Sequence, residues 1–503
     1  MGKDIESRTR EGIYWTAVFN AFNYALRIIS SIIIARILFP EDFGLMGLAT
    51  LTISFADLLA NFGFGMALVQ RKELEDDHLH TTFWINAVLM SSLTAGLFFA
   101  AGLMGEFFKD VRVVPVLQVI SFQFVLRAFH GVPNALLIRE MRFRQLGLVN
   151  TSRAMVAMLL PIPLALAGLG VWALVIPNLV ADLVKSVAMT VQSRYVPRFR
   201  FRRRAMNDLF SFGIWAYINN YLNYLTDNID YIVIGRVLDT AQLGFYERAF
   251  NLMSMPRKRL QRLANNVLLG TYSRMQDEDM RLVGALKRVI AHVAIVAYPL
   301  MIWMFIAAPS LITVLYGERW ANTIVPLQVM CISGLLNTFV MIFHPLLMAR
   351  NQLSGMAGRN VANLVLLAAG ILIGVRWGIN GVAWSVAISS VAYLALTLQI
   401  VMRNLPFRLR DFWGAQRSAA IYGAIMGVVL WGFHTLAVNW IDPRGPLMLG
   451  GLSVLAGLSF FGAHRIFRFD DVAAIVDKLG ADLRKAGMKV FRKIRPGKRA
   501  VSE

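Results

Sequence analysis

Apolar runs of roughly 20 residues recur along the whole chain, separated by short polar or charged segments. A run of this length crosses a hydrocarbon core of about 30 Å at about 1.5 Å per residue. A soluble protein would instead alternate core and surface positions through each helix. The pattern predicts an all-α membrane protein with about 14 transmembrane helices, near 13–36, 43–69, 81–104, 113–138, 147–168, 170–192, 210–236, 243–270, 285–308, 324–349, 355–375, 380–402, 416–437 and 446–464.

The chain contains an internal repeat. Residues 20–44 return without a gap at 220–244, where nine positions carry identical residues, and weaker echoes follow in later spans. Each copy begins on the same side of the membrane and contains six spans, so the copies are predicted to be parallel repeats related by an axis along the membrane normal. Two repeated lobes of this kind enclose a central cavity in many transporters.

The repeat predicts the domain boundaries. Residues 1–193 form an N-terminal lobe, 194–208 a basic cytoplasmic linker, 209–405 a C-terminal lobe, 406–464 two extra spans and 465–503 a basic amphipathic tail. The tail is either a helix held on the inner leaflet by anionic lipid or a solubilising segment with no further role.

The net charge of +21 would indicate a nucleic-acid partner in a soluble protein. Here the loops predicted inside hold most of the 51 Lys and Arg, whereas the outside loops hold seven. This asymmetry predicts that both termini are cytoplasmic and that no nucleic acid is bound. A single cysteine, Cys331, excludes an internal disulfide framework.

Polar stripes interrupt four of the apolar runs, and corresponding stripes occur in both repeats. They comprise Asn20, Asn23, Arg27 and Ser30 in the first span, Asp57 and Asn61 in the second, Asn220, Asn223, Asp227 and Asp230 in the seventh, and Arg248, Asn251 and Arg257 in the eighth. A charge facing lipid at mid-membrane costs roughly 2.5–3.5 kcal/mol, so these groups are predicted to face protein or water. One interpretation is a wet cationic cavity between the lobes; the other is that Arg27 pairs with Asp227 and ties the lobes together.

Arginine suits a diphosphate because its planar fork offers paired donors and stays charged. We therefore hypothesise that Arg27, Arg248 and Arg257 contact a phosphorylated head group, and that the other stripe residues line the cavity. The repeat relates Arg27 to Asp227 and Asp57 to Arg257; these opposite charges either latch one access state or match by coincidence. Asp182 and Lys185, three residues apart, are predicted to satisfy each other.

No motif for nucleotide-driven or enzymatic chemistry occurs. The sequence lacks a Walker lysine loop, a dinucleotide fingerprint and a nucleophile elbow, and its histidines show no metal-ligand spacing. We therefore predict no catalytic residues, no cofactor and no metal, with transport driven by gradients or mass action.

Several segments resemble a known family. These are residues 12–16 (Gly-Ile-Tyr-Trp-Thr), 35–44 (Ala-Arg-Ile-Leu-Phe-Pro-Glu-Asp-Phe-Gly), 69–72, 170–174, 230–236 and 243–246. Together they resemble the polysaccharide-transporter branch of the multidrug/oligosaccharidyl-lipid/polysaccharide exporter superfamily. The likeness extends to about residue 405 and is strongest in the first 90 residues.

The resemblance implies a Wzx-type flippase of a bacterial inner membrane, which moves undecaprenyl-diphosphate-linked oligosaccharide to the periplasmic leaflet for exopolysaccharide, capsule or O-antigen synthesis. It implies a V-shaped transporter whose spans one, two, seven and eight line the cavity. It also implies membrane lipids and the polysaccharide polymerase and chain-length machinery as partners. Related lipid II flippases use arginines of the first and eighth spans, which match Arg27 and either Arg248 or Arg257. Their second-span arginine has no counterpart here, where Asp57 stands, and this argues against lipid II as the substrate.

Two rival functions fit the same chain. A multidrug antiporter would favour an aromatic cavity with isolated carboxylates, and the arginines count against a cationic drug. A membrane glycosyltransferase or polymerase could use Glu41 and Asp42 as acids, but the predicted outside loops are too short for a sugar-processing domain.

Overall fold

A computed structural model describes residues 2–60, 68–69, 74–199, 214–470, 473–474, 476–478 and 480. In this part of the chain the regular structure is helical, without a β-strand. The helices are α1 (Gly2–Ile37), α2 (Pro40–Ala60), α3 (Asp76–Phe108), α4 (Val113–Ser121), α5 (Gln123–Ala128), α6 (Gly131–Arg139), α7 (Phe143–Leu159), α8 (Pro161–Leu166), α9 (Trp172–Ser193), α10 (Ile214–Val237), α11 (Thr240–Ser273), α12 (Asp279–Tyr316), α13 (Ile324–Ala349), α14 (Leu353–Gly374), α15 (Gly378–Asn404), α16 (Leu409–Ala437) and α17 (Pro446–Ile466).

The apolar helices make this a multi-pass membrane protein. Among the described residues, 10 helical segments are long and apolar enough to cross a membrane, and a bent pair, Val113–Ala128 with Gly131–Arg139, makes up to 11. The all-α class is therefore confirmed, while the number 14 stays a prediction.

The 14 predicted spans and the 10 apolar helical segments differ in number for a physical reason. The helices α10 and α11 coincide with predicted spans but carry the charged stripes, so their polarity keeps them out of the apolar set. The apolar segment Gly355–Asn404 combines two predicted spans, and a short 3-10 helix at Val375–Trp377 separates α14 from α15 within it. The helices α10 and α11 therefore lie where the sequence pattern predicts them.

The chain divides into two compact units. The first contains Met1–Arg248 with Leu367–Val382, and the second contains Ala249–Leu366 with Ala383–Glu503. In the first unit α7 packs against both α1 and α9, α3 packs against α4 and α5, and α2 packs against α10. The first helix of the second repeat thus belongs to the same compact unit as the N-terminal helices.

The second unit is built around α12, which packs against α13, α16 and α17. Its core contains the aromatic side chains of Phe339, Phe343, Phe412 and Tyr422; the Phe412 ring meets Phe339 edge-to-face and Phe343 at a tilted angle. The two spans predicted as an extra pair, α16 and α17, therefore contribute to this core. Most of the predicted tail helix and residues 200–208 of the predicted linker lie outside the described residues.

Candidate functional site

The polar stripe of α1 divides into two edges. At 100° per residue, Asn23 and Ser30 lie on one side of the stripe and Asn20 and Arg27 on the other. The Asn23 amide donates to Thr151 Oγ1 at 3.2 Å, and the Ser30 hydroxyl donates to a backbone carbonyl of α7. Asn20 and Arg27 are exposed. One edge of the stripe therefore fixes α1 on α7, and the other is left for a ligand or solvent.

Arg27 is the exposed charge on this edge. Among the described residues it has no ion-pair partner, and its side chain stands within the apolar span Val18–Ile37. The alternative in which Arg27 is paired with Asp227 is not found in the described structure, where Asp227 is also exposed on α10. A guanidinium in this position requires water or an anion, because lipid would impose the cost given above.

The carboxylate of Asp230 has internal partners. Asp230 is buried, the Tyr246 hydroxyl donates to its Oδ2 at 2.7 Å, and the backbone N–H of Tyr231 donates to its Oδ1 at 2.9 Å. Asp230 is therefore a packing group of the first unit in this conformation, and its predicted exposure to the cavity is not seen. Asn220 and Asn223 lie on α10, but their side chains are outside the part of the chain that the structure describes. The whole of Asn61 is outside that part as well.

Arg248 is held against the first helix pair. Its Nη1 donates to Ser31 Oγ at 3.0 Å, and its guanidinium lies 3.9 Å from the centre of the Phe43 ring. A cation over an aromatic face at this distance is attracted to the ring, and Arg248 thereby connects α11 to α1 and α2. Of the two candidates for the eighth-span arginine, Arg248 is already engaged in packing. Arg257 and Asn251 are half-buried in the second unit, and their contact with the ligand stays a prediction.

The side chain of Asp57 takes part in an ion pair that sequence analysis missed. Arg127 on α5 donates from Nη1 to both carboxylate oxygens of Asp57, at 2.9 and 2.8 Å. Arg127 also donates from Nε to Asp182 at 3.2 Å, and Arg153 on α7 donates to the other oxygen of Asp182 at 2.6 Å. The prediction that Asp182 and Lys185 satisfy each other is therefore wrong, since arginines from two other helices reach this carboxylate.

We define Asp57, Arg127, Arg153, Asp182 and Lys185 as the ionic network of the first unit. Each of these residues is a charged position within an apolar helix, and this is the feature of the sequence that points to them. Ion pairs within one helix form at three- or four-residue spacing, but the partners in this network lie 70, 55 and 29 positions apart. Only tertiary packing brings them together.

The network predicts a large stability effect at Arg127. We expect Arg127→Gln to lower the free energy of unfolding by about 3 kcal/mol. This is the lower end of the range for breaking a buried ion pair, and we choose it because the side chain of Arg127 is 27% exposed. The reason is that Asp182, with 1% exposure, loses one of its two cations. A fluorescence melt of the purified protein measures the effect, with Arg142→Gln in the exposed Arg142–Glu140 pair as control. Equal melting temperatures for the two variants would contradict a stabilising role of Arg127.

Two repeat-related glycines make reciprocal contacts at the starts of α2 and α11. A Cβ atom on Gly44 would overlap the carbonyl oxygen of Thr240, and one on Gly244 would overlap the carbonyl oxygen of Pro40. The four positions form two pairs, 40 with 240 and 44 with 244, each separated by the 200-residue repeat. Only glycine permits this backbone approach.

A charged loop next to this contact adds a side-chain connection. Arg112, between α3 and α4, pairs with Asp110 at 2.8 Å and donates to Thr240 Oγ1 at 3.1 Å. The hydrogen bond from Arg112 holds the pKa of the Asp110 carboxyl below its usual value. This loop therefore clamps the start of α11 beside the glycine contact.

Comparison with known proteins places the chain among polysaccharide transporters. A family described as "Polysaccharide biosynthesis protein" matches residues 33–326. The lipopolysaccharide biosynthesis protein WzxC of Escherichia coli (strain K12) is 25% identical over 376 residues, which is 74% of this chain and 76% of WzxC. The succinoglycan biosynthesis transport protein ExoT of Rhizobium meliloti (strain 1021) is 27% identical over 309 residues, which is 61% of this chain and 62% of ExoT.

A solved structure shares the fold. The lipid II flippase MurJ, in an inward closed conformation, matches with a TM-score of 0.73 over 90% of this chain and 98% of MurJ, at 13% sequence identity. The resemblance to the exporter superfamily, first seen in short segments, is thus confirmed by the family match and by the relatives.

Proposed function

Since this chain belongs to the polysaccharide biosynthesis protein family, we propose that it is a flippase for undecaprenyl-diphosphate-linked oligosaccharide. The substrate moves from the cytoplasmic to the periplasmic leaflet of a bacterial inner membrane and is then used for surface polysaccharide. The names of the relatives WzxC and ExoT, which specify lipopolysaccharide biosynthesis and succinoglycan transport, support this substrate class. No chemical step on the substrate is required, so the protein acts without a cofactor and not as an enzyme.

The observation that carries the proposal is Arg27. It is exposed, it lacks an ion-pair partner among the described residues, and it lies within an apolar span. A diphosphate supplies the negative charge that this guanidinium needs, through charge-assisted hydrogen bonds that a neutral sugar does not form. Asn20 shares the exposed edge of α1 and adds a polar contact for the head group or first sugar. Arg257 and Asn251, which the sequence predicts as ligand contacts, are kept as candidate residues of this proposal.

The proposed orientation places both termini in the cytoplasm, as the distribution of Lys and Arg supports. The starts of α2 and α11 then lie at the periplasmic end, where the Gly44 and Gly244 contacts close the first helix pairs of the two repeats. Separation of these glycines is the opening step of the proposed alternating access. The parallel arrangement of the two six-helix repeats is part of this proposal, and the reciprocal contact supports it.

Membrane voltage is expected to drive outward movement of the substrate. A diphosphate carries about two negative charges, and each charge crossing 100 mV contributes about 2.3 kcal/mol. We expect that abolishing an inside-negative potential in vesicles lowers the outer-to-inner leaflet ratio of the substrate by up to about a thousandfold. Leaflet distribution, read from enzymatic access to the sugar, measures this at several imposed potentials.

Vesicles without protein, held at the same potentials, give the background for this measurement. An outer-to-inner ratio that is independent of the imposed potential would exclude voltage as the driving force and would favour coupling to an ion gradient. The flippase activity itself would still be visible in that case as rapid exchange between leaflets.

A further inference from the structure

Two cations of the ionic network have donors left over. Arg153 uses only its Nε on Asp182, and its side chain is 32% exposed. Lys185 is half-buried on α9, the helix that packs against α7. Within the described parts of the chain, the two terminal nitrogens of Arg153 and the ammonium of Lys185 have no hydrogen-bond or ion-pair partner. The stripe that contains Arg27 does not include either residue.

The charges of the network do not balance. The network contains three cations and two carboxylates. Both carboxylates already form ion pairs, Asp57 with Arg127 and Asp182 with Arg127 and Arg153. One positive charge is therefore left over, and it is shared by the neighbouring Arg153 and Lys185, which repel each other. One bound anion would neutralise the excess.

The depth of these residues excludes a simple surface location. Arg153 is ten residues after the start of α7 at Phe143, and Lys185 is eight residues before the end of α9 at Ser193. At about 1.5 Å per residue these distances are about 15 and 12 Å, which is near the middle of a core of about 30 Å. One unneutralised positive charge at this depth is costly, so the site needs water together with a counter-ion.

We propose that Arg153 and Lys185 form a phosphate-binding site in the first unit, separate from the Arg27 site. The terminal nitrogens of Arg153 supply the planar pair of donors that fits two phosphate oxygens, and the Lys185 ammonium adds a point charge. Asp182 orients Arg153 by binding its Nε at 2.6 Å, so the fork is held in place before the ligand arrives. The ligand is a phosphate or diphosphate group, either free in water or on a polyprenyl lipid. Only the second origin rests on the proposed flippase function.

The test uses purified full-length protein with Arg27→Ala, which removes the first predicted diphosphate contact. Inorganic pyrophosphate and undecaprenyl phosphate in detergent micelles are the two probes, and dissociation constants are measured by thermal shift and by isothermal calorimetry. We expect binding to persist in Arg27→Ala and to weaken at least tenfold when Lys185→Gln is added. Arg27→Ala with Arg281→Gln, a change in an exposed surface pair, is the matched control and keeps the affinity.

Each outcome has a definite meaning. Binding of pyrophosphate identifies free phosphate as a ligand, and binding of undecaprenyl phosphate alone identifies a lipid head group; both support the site. No binding of either probe to Arg27→Ala, or unchanged affinity with Lys185→Gln, overturns it. Lys185→Gln removes no hydrogen bond of the described structure, so we expect this variant to fold and to test the site by itself. Binding of the probes to Arg27→Ala together with wild-type transport by that variant would leave this site intact and count instead against the flippase proposal at Arg27.

Discussion

Replacing Arg27 by Ala is expected to lower the flipping rate of diphosphate-linked oligosaccharide at least tenfold while leaving the amount of protein in the membrane unchanged. A hydrogen bond to a charged group contributes about 1.5–3 kcal/mol, and each 1.4 kcal/mol corresponds to a factor of ten. Because Arg27 is exposed and makes no ion pair among the described residues, its removal breaks no internal contact. The measurement is the initial rate of leaflet exchange in vesicles with known protein content.

Two further variants show whether the effect at Arg27 is specific. Arg27→Lys keeps the charge but loses the planar fork, so we expect a rate between those of the wild type and Arg27→Ala. Arg444→Ala removes an arginine from the exposed Arg444–Glu318 pair and should leave the rate unchanged. Wild-type transport by Arg27→Ala would remove this residue from the binding site.

The second large effect is expected at Gly44. A single methyl group there overlaps the carbonyl oxygen of Thr240, which is backbone and cannot move aside as a side chain could. In an isolated helix, Ala is favoured over Gly by about 1 kcal/mol. Any loss of transport in Gly44→Ala therefore arises from this backbone contact and not from helix propensity. We expect the variant to fold but to be excluded from the closed arrangement of α2 and α11. Transport should therefore fall at least tenfold, because the proposed alternating access requires this closure.

Accessibility labelling can detect the expected change in conformation. After Cys331→Ala, a cysteine placed at the buried Leu48 should react with a membrane-impermeant maleimide, added from the side proposed to be periplasmic, only in the Gly44→Ala background. Gly96→Ala is the matched control, since a Cβ at that helical glycine has nothing within 4 Å. Equal transport by Gly44→Ala and Gly96→Ala would show that the glycine contact is not needed in the transport cycle.

Helix positions could be predicted from the sequence because a membrane span is a local property. About 20 apolar residues are enough to define one, whatever lies beside it. The repeat from 20–44 to 220–244 also indicated that Gly44 and Gly244 are equivalent positions. The close approach of their backbones was not visible in the sequence, because a glycine in an apolar helix is equally consistent with lipid contact or with no role.

The candidate site could be predicted only in part, because the spacing of a stripe shows which helical face a residue shares but not what stands opposite. Arg27 and Asn20 proved to be exposed, whereas Asn23 on the same stripe bonds to α7. The stripe spacing presents Asp57 as an open cavity carboxylate, whereas in the structure Arg127, 70 residues later, binds both of its oxygens. Such partners depend on how distant helices pack, and one sequence does not contain that information.

We propose that this protein moves a diphosphate-linked oligosaccharide between leaflets by means of Arg27. The decisive experiment uses purified protein in vesicles that contain undecaprenyl-diphosphate-linked oligosaccharide on one leaflet only. We expect sugar to appear in the opposite leaflet with wild-type protein, at a rate proportional to protein content, and we expect Arg27→Ala to slow this at least tenfold. Equal rates in vesicles with wild-type protein and in protein-free vesicles would contradict it.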